Sequence, residues 1–265
     1  MLSGRNALLR LEGLRKRFGA KVVVDGVSLS VKEGEVVGLL GKNGAGKTTT
    51  FRMAVGLLTP DKGKVELFGE DVTRWAMFRR CRLGLGYLPQ EHSVFAGLTV
   101  WDNIEAVLRL RGVGKKERRE RTQRLLEEFG IAELSNRKAG ALSGGEKRRL
   151  EIARALATQP RILLLDEPFT GVDPIAIQEI KRLVVGLVQR NIGVLVTDHN
   201  VRDTLTVVDR AYILDEGRIL ASGKPQDLVG DPIVRRAYLG EAFEASFDEE
   251  MERWRRIKEV SGEQH

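Results

Sequence analysis

No apolar run in this 265-residue sequence approaches the roughly 20 residues that a helix needs to cross a bilayer. The longest such runs, Ile162–Leu165 and Val194–Val196 among them, have the length of buried strands. The N-terminal segment lacks an apolar stretch of the signal-peptide kind, so nothing suggests export. The single cysteine, Cys81, excludes an internal disulfide and suits a reducing compartment. These absences predict a cytosolic protein.

Positive charge exceeds negative charge: the formal net charge is +7 and the isoelectric point lies near 9.6. Such an excess can indicate nucleic acid or an anionic membrane surface as a partner. Much of it is mixed with acids, however, because Glu117 precedes Arg121 and Glu120 precedes Arg124 at i,i+4 spacing. A solvated helix face accounts for these charges, and no nucleic-acid partner is expected.

Short β-type runs alternate with helical periodicity, which predicts an α/β fold with a sheet packed against helices. The β-type runs are Leu8–Leu11, Val22–Val24, Ser28–Val31, Val36–Leu40, Lys64–Phe68, Ile162–Leu165, Val194–Val196, Ala211–Leu214 and Arg218–Ala221. From about Gln90 to Gly140 they are absent, and helical periodicity replaces them at Val100–Arg111 and Lys115–Phe129. The pattern predicts a helical insertion within one α/β domain.

A glycine-rich loop follows the apolar run Val36–Leu40 and opens the predicted helix Thr48–Leu57. It matches G-x-x-x-x-G-K-[ST] with Gly41, Lys42, Asn43, Gly44, Ala45, Gly46, Lys47 and Thr48, and Thr49 comes next. Backbone N–H groups in such a loop surround phosphates, Lys47 reaches the β- and γ-phosphates, and the Thr48 hydroxyl binds Mg²⁺. The helix N-terminus also favours negative charge, so this segment predicts a site for ATP and Mg²⁺.

Two acids end the apolar strand predicted at Ile162–Leu165. Asp166, at its carboxyl end, is suited to hold Mg²⁺, usually through water. Glu167 is a candidate general base for the water that attacks the γ-phosphate. Two acids after a strand can also form a helix-capping turn, but the phosphate-binding loop in the same chain favours the catalytic interpretation.

The segment Leu142–Glu146 begins another predicted helix. Ser143 and Glu146 have the spacing of a capping box, which is weak evidence for a site by itself. Gly144 and Gly145 are more informative. Two residues without side chains destabilise a helix start but leave backbone donors open to an anion.

In combination these motifs resemble the ATP-binding cassette family, whose signature ends in Gln where this chain has Glu146. The resemblance implies a P-loop NTPase fold, with a RecA-like core, an N-terminal antiparallel β subdomain and a helical subdomain inserted at about 91–157. The nucleotide-binding domain would span 1–242. The resemblance further implies a head-to-tail homodimer enclosing two ATP molecules, in which each protomer covers the other's nucleotide with Ser143, Gly144, Gly145 and Glu146.

Further positions match the motifs of the family in order. Phe18 resembles the aromatic residue that stacks on adenine, with a core phenylalanine as the alternative. Gln90 resembles the glutamine that senses Mg²⁺ and the attacking water, and His199 resembles the switch histidine at the γ-phosphate. The implied catalytic residues are thus Glu167, His199 and Gln90. The implied metal contacts are Thr48, Gln90 and Asp166.

Over roughly Ala7 to Phe243 the sequence most resembles the cytoplasmic ATPases of lipopolysaccharide-export transporters, and Asn200 after His199 weighs most in that comparison. ATPases of branched-chain amino-acid importers are the nearest alternative. Cassette ATPases that act on DNA or ribosomes are a further alternative, disfavoured because this chain has one uninterrupted cassette. The resemblance implies a peripheral protein on the cytoplasmic face of the inner membrane, working with two integral membrane subunits.

Two other segments carry hypotheses about contacts. A groove for a short helix of each membrane subunit is hypothesised at four apolar residues after Gln90, with ordinary subdomain core as the alternative; they are Val94, Phe95, Leu98 and Trp101. A C-terminal helical extension is predicted at 243–265 from the helical spacing of Phe243, Phe247, Met251, Trp254 and Ile257. We expect it to pack on its own domain or its dimer mate, with a docking or regulatory element as the alternative.

Overall fold

The computed structural model describes residues 7–239, 252–254 and 256–257. The strands are β1 (Ala7–Phe18), β2 (Lys21–Lys32), β3 (Val36–Leu40), β4 (Lys62–Leu67), β5 (Glu70–Asp71), β6 (Leu85–Leu88), β7 (Ile162–Asp166), β8 (Gly193–Asp198), β9 (Arg210–Asp215) and β10 (Arg218–Gly223). The helices are α1 (Lys47–Val55), α2 (Met77–Leu83), α3 (Val100–Leu110), α4 (Lys115–Glu128), α5 (Gly144–Ala157), α6 (Pro174–Val188), α7 (Val201–Leu205), α8 (Pro225–Gly230) and α9 (Pro232–Val234), followed by a π-helical turn at Arg235–Leu239.

A smaller, antiparallel sheet has the strand order β2-β1-β4-β5. The prediction of separate strands at Val22–Val24 and Ser28–Val31 is wrong, because β2 runs through both. Asp25 and Val27 pair with consecutive residues of β1, so Gly26 between them is an extra residue in the ladder. Its φ of +77° suits glycine, and the sequence pattern is interrupted there although the strand is not.

The larger sheet has the order β10-β9-β3-β8-β7-β6 and is parallel except for β10, which pairs antiparallel with β9. Every residue of β3, β7 and β8 is buried, which explains why these strands form continuous apolar runs in the sequence. The edge strand β6 is absent from the predicted set, since Gly86 interrupts its apolar pattern. A Cβ at Gly86 would lie 2.7 Å from the terminal carbon Cδ1 of Leu163, so a larger residue there would force this packing against β7 to shift.

Helices α3, α4 and α5 lie between β6 and β7 in the chain, as the helical periodicity predicts. Thr99 caps α3 by accepting a hydrogen bond from the backbone N of Asp102 at 2.9 Å. Ile104 and Leu108 of α3 and Leu126 of α4 are fully buried in one apolar cluster, which also includes residues of α5 and of the parallel sheet. The helical region is thus packed on the core that carries the central strands.

At the C-terminal end, Glu252, Arg253, Trp254, Arg256 and Ile257 are described, and all five are helical. Trp254 is only 2% exposed, and Ile257 packs against the same apolar cluster. At these residues the extension therefore packs on its own domain. The other members of the predicted apolar stripe, Phe243, Phe247 and Met251, lie outside the described residues.

Within the described part of the chain, none of the helices combines the length and apolar character that a bilayer-spanning segment requires.

Candidate functional site

Three loops converge where β3, β7 and β8 end. β8 lies between the other two strands, with Leu40 paired to Asp198 and Asp166 paired to Thr197. The carboxyl ends of parallel strands share one edge of the sheet, where open α/β folds bind their ligands. The fold thus brings the phosphate-binding loop, the paired acids and the segment of His199 to one place.

The phosphate-binding loop has a shape that its glycines permit. A Cβ on Gly41 would lie 2.2 Å from the carbonyl oxygen of Leu214, and one on Gly46 would lie 2.7 Å from another carbonyl oxygen. The ammonium of Lys47 is buried and donates to the carbonyl oxygens of Gly41 at 2.5 Å and Lys42 at 3.1 Å. Burial lowers the Lys47 pKa, although nearby carboxylates oppose that shift. An ammonium so held can exchange carbonyl oxygens for phosphate oxygens.

The rest of the loop surrounds this lysine. Three of its residues are exposed: Lys42, Asn43 and Gly44. Ala45 is buried, and Thr48 and Thr49 in the first turn of α1 are partly buried. The Lys42 ammonium lies 5.3 Å from the centre of the Tyr238 ring. The Tyr238 hydroxyl in turn donates to Leu214 O at 3.1 Å, the carbonyl that excludes a side chain at Gly41. The turn Arg235–Leu239 therefore contacts the phosphate-binding loop at Lys42 and at the carbonyl group next to Gly41.

Asp166 ends β7 and is 4% exposed. Burial raises its pKa, and a hydrogen bond that it accepts from the Thr197 hydroxyl at 2.8 Å opposes the shift. The Asp166 carboxylate, the Thr48 hydroxyl and the Gln90 amide oxygen are oxygen ligands of the kind that Mg²⁺ prefers. Among the described residues, no group of three or more His, Cys, Asp or Glu side chains is arranged to hold a metal. The residues present fit a Mg²⁺ ion that phosphate and water also coordinate.

The Glu167 carboxylate is the meeting point of the predicted catalytic residues. Gln90 donates from Nε2 to Glu167 Oε2 at 2.9 Å, and His199 Nδ1 lies 3.3 Å from the same oxygen. Thr170, which the sequence reasoning missed, donates to it at 3.1 Å and lies 3.3 Å from His199 Nδ1. The backbone of Glu167 has φ +46°, in the left-handed region that non-glycine residues seldom adopt. The structure thus supports the carboxylate with three side chains on a strained backbone.

Asp198 also escapes the sequence reasoning, since it ends β8 without a motif of its own. It is fully buried, and burial raises its pKa. Its two oxygens accept hydrogen bonds from the backbone N of Asn200 at 2.9 Å and of Phe169 at 3.2 Å. This carboxylate therefore joins the loop of His199 to the loop that follows Glu167.

The signature segment lies at the start of α5. Ser143 and Glu146 form the predicted capping box: Ser143 N donates to the Glu146 carboxylate at 2.7 Å, and Glu146 N donates to Ser143 Oγ at 3.3 Å. The bond from Ser143 N is the main reason why the Glu146 pKa is lowered. A Cβ on Gly144 would make only an ordinary contact, at 3.8 Å from Gly171 O, whereas a Cβ on Gly145 would lie 2.9 Å from that of Ala176 in α6. Gly145 thus has a packing reason to be glycine.

A buried ion pair on α5 is a feature that the sequence reasoning missed. The Arg148 guanidinium lies 3.3 Å from the Glu151 carboxylate and donates to Pro89 O at 2.9 Å and to Asp166 O at 3.3 Å. Glu151 also accepts a hydrogen bond from Ser93 N. Their i,i+3 spacing also fits a surface pair, so no sequence signal marks their burial. The pair connects α5 to Pro89 and Ser93, which precede and follow Gln90, and to Asp166 at the end of β7.

Phe18 and the hypothesised groove lie mostly at the surface. Phe18 is 50% exposed at the end of β1, which excludes the alternative of a core phenylalanine. Phe95 and Leu98 are exposed, whereas Val94 and Trp101 are partly buried against the core.

Buried Asn103 fixes the Phe95 backbone. It accepts from Phe95 N at 2.8 Å and donates to Phe95 O at 3.1 Å. The Phe95 ring is therefore presented outward from a fixed main chain.

Comparison with known families gives two matches. The family described as ABC transporter matches residues 24–170, which is more than half of the chain. The family described as branched-chain amino acid ATP-binding cassette transporter matches residues 218–244. Both matches end before Trp254.

Similar proteins cover most of the chain. A probable ABC transporter ATP-binding protein of Azorhizobium caulinodans is 57% identical, covering 87% of this chain and 82% of its own length. The lipopolysaccharide export system ATP-binding protein LptB is 54% identical in Acidithiobacillus ferridurans and 49% identical in Escherichia coli K12, each covering 89% of this chain and 98% or 99% of its own. A solved ATP-binding cassette of an ABC transporter, in its ADP conformation, superposes with a TM-score of 0.79 at 30% identity, covering 89% of this chain and 99% of its own.

Proposed function

Because this chain belongs to the ATP-binding cassette transporter family, we propose that it powers lipopolysaccharide export from the inner membrane. ATP-binding proteins of the family hydrolyse ATP, form dimers and act with membrane subunits. The chain is accordingly a transport-coupled ATP hydrolase. Its proposed place is the cytoplasmic face of the inner membrane, bound to two integral membrane subunits.

The observation that carries the catalytic part is the convergence of Gln90, His199 and Thr170 on Glu167 Oε2. In the proposed step Glu167 accepts a proton from water while the water oxygen bonds to the γ-phosphorus. The bond from that phosphorus to the β,γ-bridging oxygen breaks, and ADP and phosphate leave. Gln90 orients the water, and His199 contacts the γ-phosphate.

The nucleotide itself is bound by residues outside this cluster. Lys47 and the loop N–H groups neutralise and orient the phosphates, and Phe18 offers an exposed ring to adenine. Mg²⁺, when bound, would offset phosphate charge, and Thr48, Asp166 and Gln90 would hold it.

The proposed ATP site is completed by a second protomer. Among the described residues, no hydrogen bond joins Ser143–Glu146 to Gly41–Thr48 of the same chain. Ser143 is exposed at the start of α5, where the capping box uses the backbone N–H groups of Ser143 and Glu146 but not those of Gly144 and Gly145. In the proposed dimer, Ser143, Gly144, Gly145 and Glu146 cover the γ-phosphate of the partner's ATP. ATP then closes the dimer and hydrolysis opens it.

Lipopolysaccharide is the proposed cargo because the LptB relatives match nearly their full length at 49–54% identity. A branched-chain amino-acid importer is the second candidate, and the observation that favours it is the importer-type match at residues 218–244. The membrane subunits are proposed to dock at Val94, Phe95, Leu98 and Trp101. Phe95 and Leu98 expose apolar surface there, on a segment that the Arg148–Glu151 pair connects to the nucleotide site.

The deciding experiment is to purify this chain from native membranes in detergent and identify the integral membrane proteins that accompany it. Two subunits with periplasmic domains of the lipopolysaccharide-export type are the expected result. Permeases of the amino-acid importer type would overturn the cargo and leave the ATPase mechanism intact. A salt-sensitive shift of duplex DNA or RNA, without membrane partners, would overturn both transport candidates.

A further inference from the structure

The C-terminal helical segment is docked on the domain through one face. Trp254 is buried and Ile257, three residues later, packs against the same apolar cluster. Arg256 and Glu252 form an exposed ion pair at 3.2 Å. Residues three apart share a helix face, so the segment presents its apolar side to the protein.

Beneath Trp254 lies a fully buried lysine of α6. The Lys181 ammonium is 5.9 Å from the centre of the indole and donates to Asp203 Oδ1 at 2.7 Å. A buried ammonium needs a paired acid to offset its desolvation, and the attraction within the pair is stronger where water is excluded. The Trp254 ring lies over the buried ammonium end of this pair and adds an attraction between its π face and the cation, whereas the Asp203 side chain is 21% exposed.

Asp203 carries the connection to the switch histidine. Its second oxygen accepts a hydrogen bond from Asn200 Nδ2, and its backbone N donates to Asn200 Oδ1 at 3.1 Å. Asn200 N donates to Asp198 Oδ1 at 2.9 Å. The residues on both sides of His199 are therefore held, and its Nδ1 lies 3.3 Å from Glu167 Oε2.

We propose that Trp254 is a positioning residue for His199, acting through Lys181, Asp203 and Asn200. Water reaching the Lys181–Asp203 pair would weaken their attraction, because a higher local dielectric screens charge. The Asp203 carboxylate would then no longer hold the side chain of Asn200 in place. The His199 ring would as a result adopt positions farther from Glu167. The inference rests on the proposed function, since it assumes that His199 acts on ATP.

The indole N–H indicates which property of Trp254 matters. Within the described part of the chain, Nε1 is buried and has no hydrogen-bond partner. The ring is thus held by packing and by the cation beneath it. Trp254→Phe keeps a ring over Lys181 and should retain activity, whereas Trp254→Leu removes the ring.

The experiment is steady-state ATP hydrolysis by the full chain, with melting temperature and nucleotide-binding stoichiometry measured on the same samples. We expect Trp254→Leu to lower kcat on the order of ten-fold with little change in KM, since misplacing a group by 1 Å can cost about 10²-fold. Lys181→Met should act alike, and the double variant should be no slower than the slower single one. Trp75→Leu is the matched control, because Trp75 stacks on Arg79 in the other core cluster.

Each outcome separates the two proposals. His199→Ala at the native rate would overturn the proposed role of His199 itself. A slow His199→Ala with a native-rate Trp254→Leu would overturn the positioning role alone. Additive losses in Trp254→Leu and Lys181→Met would exclude the route through Lys181. If Trp254→Leu cannot be purified folded, Trp254→Met replaces it, and native turnover by that variant would likewise contradict the positioning role.

Discussion

Gln90 and Glu167 are joined by a hydrogen bond of 2.9 Å between the amide nitrogen and carboxylate Oε2, although 77 positions separate them in the chain. The bond connects the segment that leads into the helical region with the acid at the end of β7. Movement of the helical region would therefore change the support of the carboxylate directly. In the proposed mechanism, this one hydrogen bond therefore links the general base to the position of the helical region.

Glu167→Gln should reduce ATP turnover by about 10²–10⁴-fold, the usual contribution of a general base. ATP binding should persist, because the amide preserves the shape of the side chain and removes only its ability to take a proton. A closed, ATP-bound dimer should accumulate. Turnover assays and size-exclusion chromatography with ATP measure both effects, with Glu70→Gln in the smaller sheet as the control. Native turnover by Glu167→Gln would assign the base to another group.

Asp166→Asn should stabilise the nucleotide-free protein at neutral pH while impairing hydrolysis. Burial raises the Asp166 pKa above its unfolded value, so the folded state binds the proton more readily. Asp166 therefore contributes most to the stability of the folded state when the pH is below its pKa in the unfolded chain. That contribution is lost as the pH rises through its pKa in the folded state.

The gain in melting temperature from Asp166→Asn should accordingly be largest at neutral pH and shrink as acid protonates Asp166. Each kcal/mol moves the midpoint of a domain this size by about 2–4 °C. Differential scanning fluorimetry across a pH series measures it, with wild type and Asp71→Asn in parallel. A gain that grows towards acid pH would contradict the assignment.

Phe95→Ala should uncouple transport from hydrolysis with ATP binding intact. The ring is exposed and lies 4.7 Å from the Arg154 guanidinium, while Asn103 fixes the main chain that carries it. Its loss therefore removes contact surface and leaves the main chain held in place. Co-purification of membrane subunits and cargo export in cells are the readouts. Phe78→Ala removes an exposed ring from α2 and should leave both unchanged. Unchanged assembly and transport in Phe95→Ala would exclude this docking site.

Arg148→Met should cost about 3–5 kcal/mol of unfolding free energy, because it leaves the buried Glu151 carboxylate without its cation. Adding Glu151→Leu should recover part of the lost unfolding free energy, since neither charge of this pair then remains. Urea unfolding measures both variants. Arg121→Met, which breaks the surface pair with Glu117, should cost less than about 1 kcal/mol. Equal losses at the two sites would contradict the burial argument.

The sequence predicts the parts of this site that are encoded locally. The loop Gly41–Thr48 follows β3, Asp166 and Glu167 lie at the end of β7, and His199 follows β8. All three strands are apolar, and parallel strands bring such positions to one edge. Thr170 and Asp198 could not be found in this way, because their roles depend on contacts between loops. The burial of Arg148 and Glu151 likewise depends on which side of α5 faces the sheet.

The strand predictions fail for a related reason. Gly26 interrupts the apolar pattern within β2 but is accommodated as an extra residue in the ladder. Gly86 interrupts the apolar pattern of β6, at a position where a side chain would crowd Leu163 of β7. In both cases the conformation or packing of the glycine depends on a neighbouring strand. The residue pattern along a single strand carries no information about that neighbour.

The left-handed backbone at Glu167 has a consequence for variation at this position. Glycine adopts φ +46° without steric strain, so the backbone conformation by itself favours glycine there. In the proposed mechanism, activity and relief of backbone strain therefore select in opposite directions at this residue. In a copy of this chain that no longer hydrolyses ATP, replacement of Glu167 by glycine would relieve the strain and leave Gln90, Thr170 and His199 without their shared partner.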